Sequence, residues 1–286
     1  MSETPTTDRA TDSATSTADG AADDMPLLRV EHIAKRFGTI VALDDISFDV
    51  DRGEVVALLG DNGAGKSTLV KILSGTEYPD SGRILFEGRP ITIDSPATAK
   101  SHGIETVYQD LSLCMNMDVV ANFFMGREIC TRFLGLNVVR DREMEREATE
   151  ALGNIGVRLP DVRAKVEKLS GGQRQGVELG RFVYWGGKLV LLDEPFAALG
   201  VDQTRRGLDL VERVKREGVA VVVITHNMLH AFQVADRIVV LRHGRVTGVR
   251  RREETSSQEI VNMITGEELV DAETRPPDSA PGDRGS

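Results

Sequence analysis

An α/β fold with a mixed sheet, an antiparallel β region and a helical insertion is predicted by three features of this 286-residue sequence. Between Leu27 and Gly266, short apolar runs alternate with helical stretches, the pattern of helices packed on a sheet. The runs at 55–59, 188–192 and 219–224 are apolar rather than alternating, which suits central parallel strands covered on both faces. Earlier runs alternate more and carry turns such as Asp51-Arg52-Gly53 and Glu87-Gly88-Arg89, which suits an antiparallel edge region.

Taken in order, strands are expected at Leu28–Ile33, Ile46–Val50, Val55–Leu59, Arg83–Phe86 and Gly103–Val107, then at Lys188–Leu192, Val219–Ile224 and Arg237–Leu241. From Leu111 to about Leu169 no strong strand is expected. Residues 140–152 are charged and rich in good helix formers, so an exposed helix fits there, and about 111–175 reads as a helical insertion. A further helix is expected over 174–185. Each motif occurs once, so the chain has no internal repeat.

Composition narrows the class. Hydrophobic residues at 40% and charged residues at 28% are those of a globular chain. The longest apolar run, Val219 to Ile224, is far short of a bilayer span. Cys114 and Cys130 make no disulfide framework, and the amino terminus lacks a signal-peptide pattern, so the expected compartment is the cytoplasm. The net charge of −10 is concentrated at the ends: residues 1–26 carry −5 and residues 267–286 carry −4. The body, 27–266, is therefore near neutral and offers no basic footprint for nucleic acid. Both ends read as disordered acidic tails, with an acidic interaction tail as the functional alternative.

Gly60-Asp61-Asn62-Gly63-Ala64-Gly65-Lys66-Ser67-Thr68 matches the phosphate-loop pattern GxxxxGK[ST] between an apolar strand and a helix, which predicts a phosphate-loop NTPase core. Its glycines let the backbone wrap an anion, and the N–H groups at the helix start point at it. Lys66 supplies a point charge for the β and γ phosphates, and Ser67 a hydroxyl for Mg²⁺. In LVLLDEP at 189–195 a buried strand ends in two acids, at the edge where ligands bind in open α/β sheets. Asp193 is expected to hold Mg²⁺ and Glu194 to orient or deprotonate the attacking water. Leu169-Ser170-Gly171-Gly172-Gln173 opens the next helix and makes either a second anion-binding terminus or a plain Ser-capped start.

LSGGQ lying between a phosphate loop and LLDEP resembles the ATP-binding cassette (ABC) ATPases, over about 27–266. The resemblance implies that Gln109 in TVYQD touches Mg²⁺ and senses a transmembrane partner, and that His226 in ITHN contacts the γ-phosphate. It also implies that Phe37 in KRFG stacks on adenine, simple packing being the alternative. Leu169 to Gln173 of one subunit would close over the ATP held by a second. Met115, Met117, Phe123, Phe124 and Met125 read either as helix core or as an adaptable groove for a partner's helix.

GDNGAGKST, GIETVYQDL, LSGGQRQGVELGR, ALGV and THNMLHAFQVADRI together resemble the monosaccharide-importer branch, of ribose, xylose or fructose type. Phe196, Gly200 and Gly180 depart from the usual residues at their positions. The resemblance implies an ATPase that closes and reopens with a second cassette, as a homodimer. Its partners would be an integral-membrane permease and, indirectly, a periplasmic or extracellular sugar-binding protein, and its place the cytoplasmic face of the cell membrane. The alternatives are an exporter ATPase, a soluble ABC protein outside transport, and a regulator that binds ATP without turnover.

Overall fold

Strands and helices alternate along residues 25–107, 113–133, 136–197 and 200–266, which the computed structural model describes. The first part holds β1 (Leu28–Phe37), β2 (Ile40–Val50), β3 (Val55–Gly60), α1 (Lys66–Leu73), β4 (Ser81–Phe86), β5 (Arg89–Ile91), α2 (Pro96–Ser101) and β6 (Ile104–Val107). The middle holds α3 (Val119–Phe124), β7 (Cys130–Phe133), β8 (Leu136–Val139), α4 (Asp141–Asn154) and α5 (Gly171–Tyr184). The last part holds β9 (Leu189–Asp193), α6 (Val201–Arg216), β10 (Ala220–Ile224), α7 (Met228–Val234), β11 (Arg237–Arg242), β12 (Arg245–Arg251) and α8 (Ser257–Thr265). The acidic tails expected at 1–26 and 267–286 lie outside the described residues, apart from Met25 and Pro26.

Six strands form a mixed sheet in the order β12-β11-β3-β10-β9-β6, in which only the β11–β12 pairing is antiparallel. β3 and β10 are buried along their whole length, and β9 up to Asp193, as all-apolar runs at central positions require. Alternate side chains divide the sheet among three cores, one of which joins Ala57, Leu59, Ile238 and Val240 to Ala231 of α7 and Ile260 of α8. Val56, Leu58, Leu189, Leu191 and Val222 pack with Leu69 and Leu73 of α1 and with the second sheet, β2-β1-β4-β5. Val55, Val190, Leu192, Val221 and Val223 pack with Leu208, Val211 and Val214 of α6. A separate core, with Phe123, Phe124, Met144 and Val177, holds the helical part together.

The boundaries differ from expectation where charge interrupts the apolar pattern. β1 and β2 run on through Lys35, Arg36, Asp44 and Asp45, and their pairing contains bulges. His32 and Asp45, both at positive φ, lie at these irregularities and join across them at 2.6 Å. The expected absence of strands between Leu111 and Leu169 is corrected by the β7–β8 hairpin. Leu136–Val139 is exposed throughout, so it has no alternation of polarity to reveal it. β12 was likewise hidden by its three arginines, which suit an exposed sheet edge.

Arg237 ties the two sheets together. Its guanidinium donates to both Glu54 carboxylate oxygens at 2.8 and 2.9 Å, to Asp49 Oδ1 at 3.1 Å and to the Asp49 carbonyl at 2.8 Å. Arg237→Ala is expected to cost about 2 kcal/mol, because the largely covered Glu54 carboxylate loses its fork and the more exposed Asp49 loses a partner. Urea unfolding checks this, and an unchanged midpoint would show that the fork adds nothing to stability.

Candidate active site

The carboxyl ends of three neighbouring parallel strands meet at one place. Register puts Ile224 of β10 beside both Leu58 of β3 and Asp193 of β9, so the loops leaving all three strands are adjacent. Such an edge is where open α/β sheets bind ligands.

After β3 the chain turns through Gly60–Gly65 into α1. A Cβ on Gly60 would collide with the Leu241 carbonyl oxygen of β11. Gly65 has φ +105°, and a Cβ there would lie 2.7 Å from the Ala42 carbonyl and from Leu43. The loop is therefore closed tightly against β2 and β11, and only glycine permits it. Asp61, Asn62 and Gly63 face solvent, Ala64 is buried, and Ser67 is exposed at the helix start beside half-buried Thr68. No side chain caps this helix, so its first N–H groups remain available to an anion.

Lys66 is only 8% exposed, and its Nζ donates to the carbonyls of Gly60 at 2.6 Å and Asp61 at 3.0 Å. An ammonium has three protons, so one donor remains for a phosphate. Burial pushes the Lys66 pKa down, against the charges of Glu194, Asp61 and Asp193. Asp193 is half-buried. Burial and then the Glu194 charge push its pKa up, while Lys66 pulls it down.

Glu194 sits at φ +48°, a conformation that a side chain rarely adopts. Its carboxylate accepts from the His226 N–H at 3.1 Å and the Thr225 hydroxyl at 3.3 Å, and lies 2.7 Å from His226 Nδ1. Its own N–H donates to Ile224 at 2.9 Å. β10 thus fixes the acid that leaves β9. Lysine, loop amides and two carboxylates at one sheet edge can hold a polyphosphate and act on water beside it.

The comparisons with known proteins agree with this geometry. A sequence profile described as ABC transporter matches residues 43–197. The chain is 44% identical to a xylose/arabinose import ATP-binding protein of Sulfolobus acidocaldarius over 84% of this chain and 94% of that one. It is 43% identical to a fructose import ATP-binding protein of Rhizobium meliloti over the same shares. The chain belongs to the ABC transporter family.

As an ABC ATPase it binds and hydrolyses ATP. A ribose import ATP-binding protein of Rubrobacter xylanophilus is 42% identical over 85% of this chain but only 48% of its own length. Among solved structures, the ADP conformation of an ATP-binding cassette from an ABC transporter aligns with TM-score 0.71 and 29% identity, over 85% of this ABC ATPase and all of that chain. The α/β fold with mixed and antiparallel sheets is that of such cassettes.

Ser170 caps α5: its hydroxyl accepts from the Gln173 N–H at 3.3 Å, and Gln173 Oε1 accepts from the Ser170 N–H at 2.9 Å. Gly171 and Gly172 form the first turn, with open space around Gly172, and Leu169 is buried in the helical core. Phe37 is 45% exposed at the end of β1, with the Lys35 ammonium 5.3 Å from its ring centre. Gln109 lies outside the described residues. Phe123 and Phe124 are helix core, whereas Met115 and Met125 are exposed and Met117 is half-buried.

The departures have local explanations. Phe196 is buried with its ring edge-on to His230, and Gly207 of α6 leaves the room it occupies. Burial lowers the pKa of His230. At Gly180 a Cβ would lie 2.8 Å from Leu152, and at Gly176 it would lie 2.6 Å from Val157, so α5 packs at its glycine stripe. Gly200 starts α6 without a side-chain cap.

Sequence reading missed Asn122, whose only signal is a polar residue inside the apolar run VVANFF. It is fully buried, accepts from the Cys114 N–H at 2.7 Å and donates to the Cys114 and Asp118 carbonyls at 3.0 and 2.9 Å. It pins the loop before α3. Asn122→Ala is expected to destabilise by about 3 kcal/mol, since it strands buried backbone groups. A thermal or urea unfolding series checks this, and a loss below about 1 kcal/mol would mean that the loop finds other partners.

Proposed function

We propose that this chain is the ATP-hydrolysing subunit of an importer for a monosaccharide, working at the cytoplasmic face of the membrane with a separate permease. The observation that carries it is the meeting of Lys66, Asp193, Glu194 and His226 at adjoining strand ends. The names of the xylose/arabinose, fructose and ribose import relatives support the substrate class. Among the described residues no helix is long and apolar enough to cross a membrane.

The loop from Gly60 to Thr68 and Lys66 bind the phosphates, and Phe37 takes the adenine. Glu194, held by Thr225 and His226, orients the attacking water and receives its proton, while His226 also reaches the γ-phosphate. The oxygen donors of Ser67, Asp193 and Gln109 suit Mg²⁺, which is held by few protein ligands and by the phosphates themselves. When bound, that ion supplies neutralisation of phosphate charge. Two copies would face each other so that Leu169 to Gln173 of one completes the site of the other. A sugar-binding protein outside the cell would deliver the substrate to the permease.

Reconstitution with the permease in proteoliposomes tests this reading. ATP-dependent accumulation of a labelled pentose or hexose is expected, together with Mg²⁺-dependent phosphate release. Efflux without uptake, or ATP turnover indifferent to every sugar and to the permease, would overturn it.

A further inference from the structure

We infer that the acidic segment preceding Met25 docks into a basic cleft on the body of the same chain. The cleft has a volume of about 260 Å³ and lies where β6 and β9 begin, at the sheet edge opposite the phosphate loop. Lys100, Arg127, Arg181 and Lys188 line it, against a single carboxylate, Glu105. Glu105 is shared between Lys100 at 3.5 Å and Arg181 at 3.6 Å, and Lys188 pairs with Glu87 at 2.7 Å. Arg127 has no carboxylate partner among the described residues and lies 4.8 Å over the Trp185 ring. The cleft therefore carries an excess of positive charge in a protein of net charge −10.

The segment leaves the body beside this cleft. Met25 lies against Gly88, the Glu87 N–H donates to the Leu27 carbonyl at 2.8 Å, and the Glu87 carboxylate reaches Lys188 of the cleft wall. Asp19, Asp23 and Asp24 all fall within six residues of Met25. Six extended residues span roughly 20 Å, enough to cross a cleft of this size. A short tether holds them at an effective concentration in the millimolar range, so ion pairs that are individually weak suffice. Segment 1–24 has few apolar residues, so charge is the attraction it offers.

Trp185, the one tryptophan of the sequence, lines the cleft and reports its occupancy. Acrylamide quenching of its fluorescence is measured in the full chain at about 20 mM salt, where charges act over ~20 Å, and at about 0.5 M, where they act over ~4 Å. We expect the quenching constant to rise about two-fold with salt, as weak surface ion pairs are screened. A D19N/D23N/D24N variant should show the high value already at low salt. Lys100→Glu should do the same, and D23K/D24K added to it should restore protection. Removing Asp271, Glu273 and Asp278 instead should change nothing. The inference is overturned if D19N/D23N/D24N matches the parent at low salt, because another acidic group then fills the cleft. It is equally overturned if the variant at 271, 273 and 278 gives the same rise.

Discussion

Glu194→Gln is expected to slow phosphate release by about 10² to 10⁴, the usual contribution of a general base. Glutamine keeps the length and can still accept from the His226 N–H and the Thr225 hydroxyl, so the loop after β9 should stay in place. What disappears is the charge that polarises water. ATP binding rests on other groups, the loop from Gly60 to Thr68 and Asp193, and should survive. On the proposed two-copy arrangement, ATP that is bound but not cleaved holds the chains together. Light scattering should therefore show a long-lived dimer for Glu194→Gln with ATP, and only a transient one for the parent. The same substitution should lower the Asp193 pKa, because the neighbouring charge that raises it is gone. Turnover at the parental rate would remove Glu194 from the role of base. A monomer that binds ATP tightly would refute the two-copy site.

Lys66→Ala should weaken ATP binding by about 10² or more, since it removes a largely desolvated charge from the phosphate site. The fold should tolerate it. Among the described residues the Lys66 ammonium is hydrogen-bonded to the Gly60 and Asp61 carbonyls alone, and burial already disfavours its charged form. Titration calorimetry with ATP and a melting curve separate the two effects. Full ATP affinity in the variant would contradict the phosphate-loop assignment.

The central strands were legible because β3, β9 and β10 lie between cores on both faces and admit few polar residues. The phosphate loop was legible because glycine is needed where a Cβ meets Leu241 or Ala42. Strands exposed to solvent left no such trace: β8 is bare on both faces, and β12 has no buried residue, with Arg245, Thr247, Val249 and Arg251 exposed and Val246, Gly248 and Arg250 half-covered. The partners of Glu194 were only half legible. His226 was reached only through the resemblance of ITHN to the ABC ATPases, and Thr225 and the left-handed backbone of Glu194 need the strand register to be seen. Asn122 showed only as a polar residue within VVANFF, and its role could not be read because its partners are backbone groups, which no side-chain pattern encodes.

Two of the four glycines of α5, those in its interior, set how that helix is seated. With Gly176 and Gly180 seated against Val157 and Leu152, the helix spans about 21 Å, from Ser170 at one end to Tyr184 at the other. Its far end is clamped by Phe123, Phe124 and Trp185, beside the basic cleft. A helix of that length tilting by about 10° carries its tip about 4 Å, more than the length of a hydrogen bond. Whatever seats against Trp185 therefore has leverage on the turn containing Ser170, without touching it.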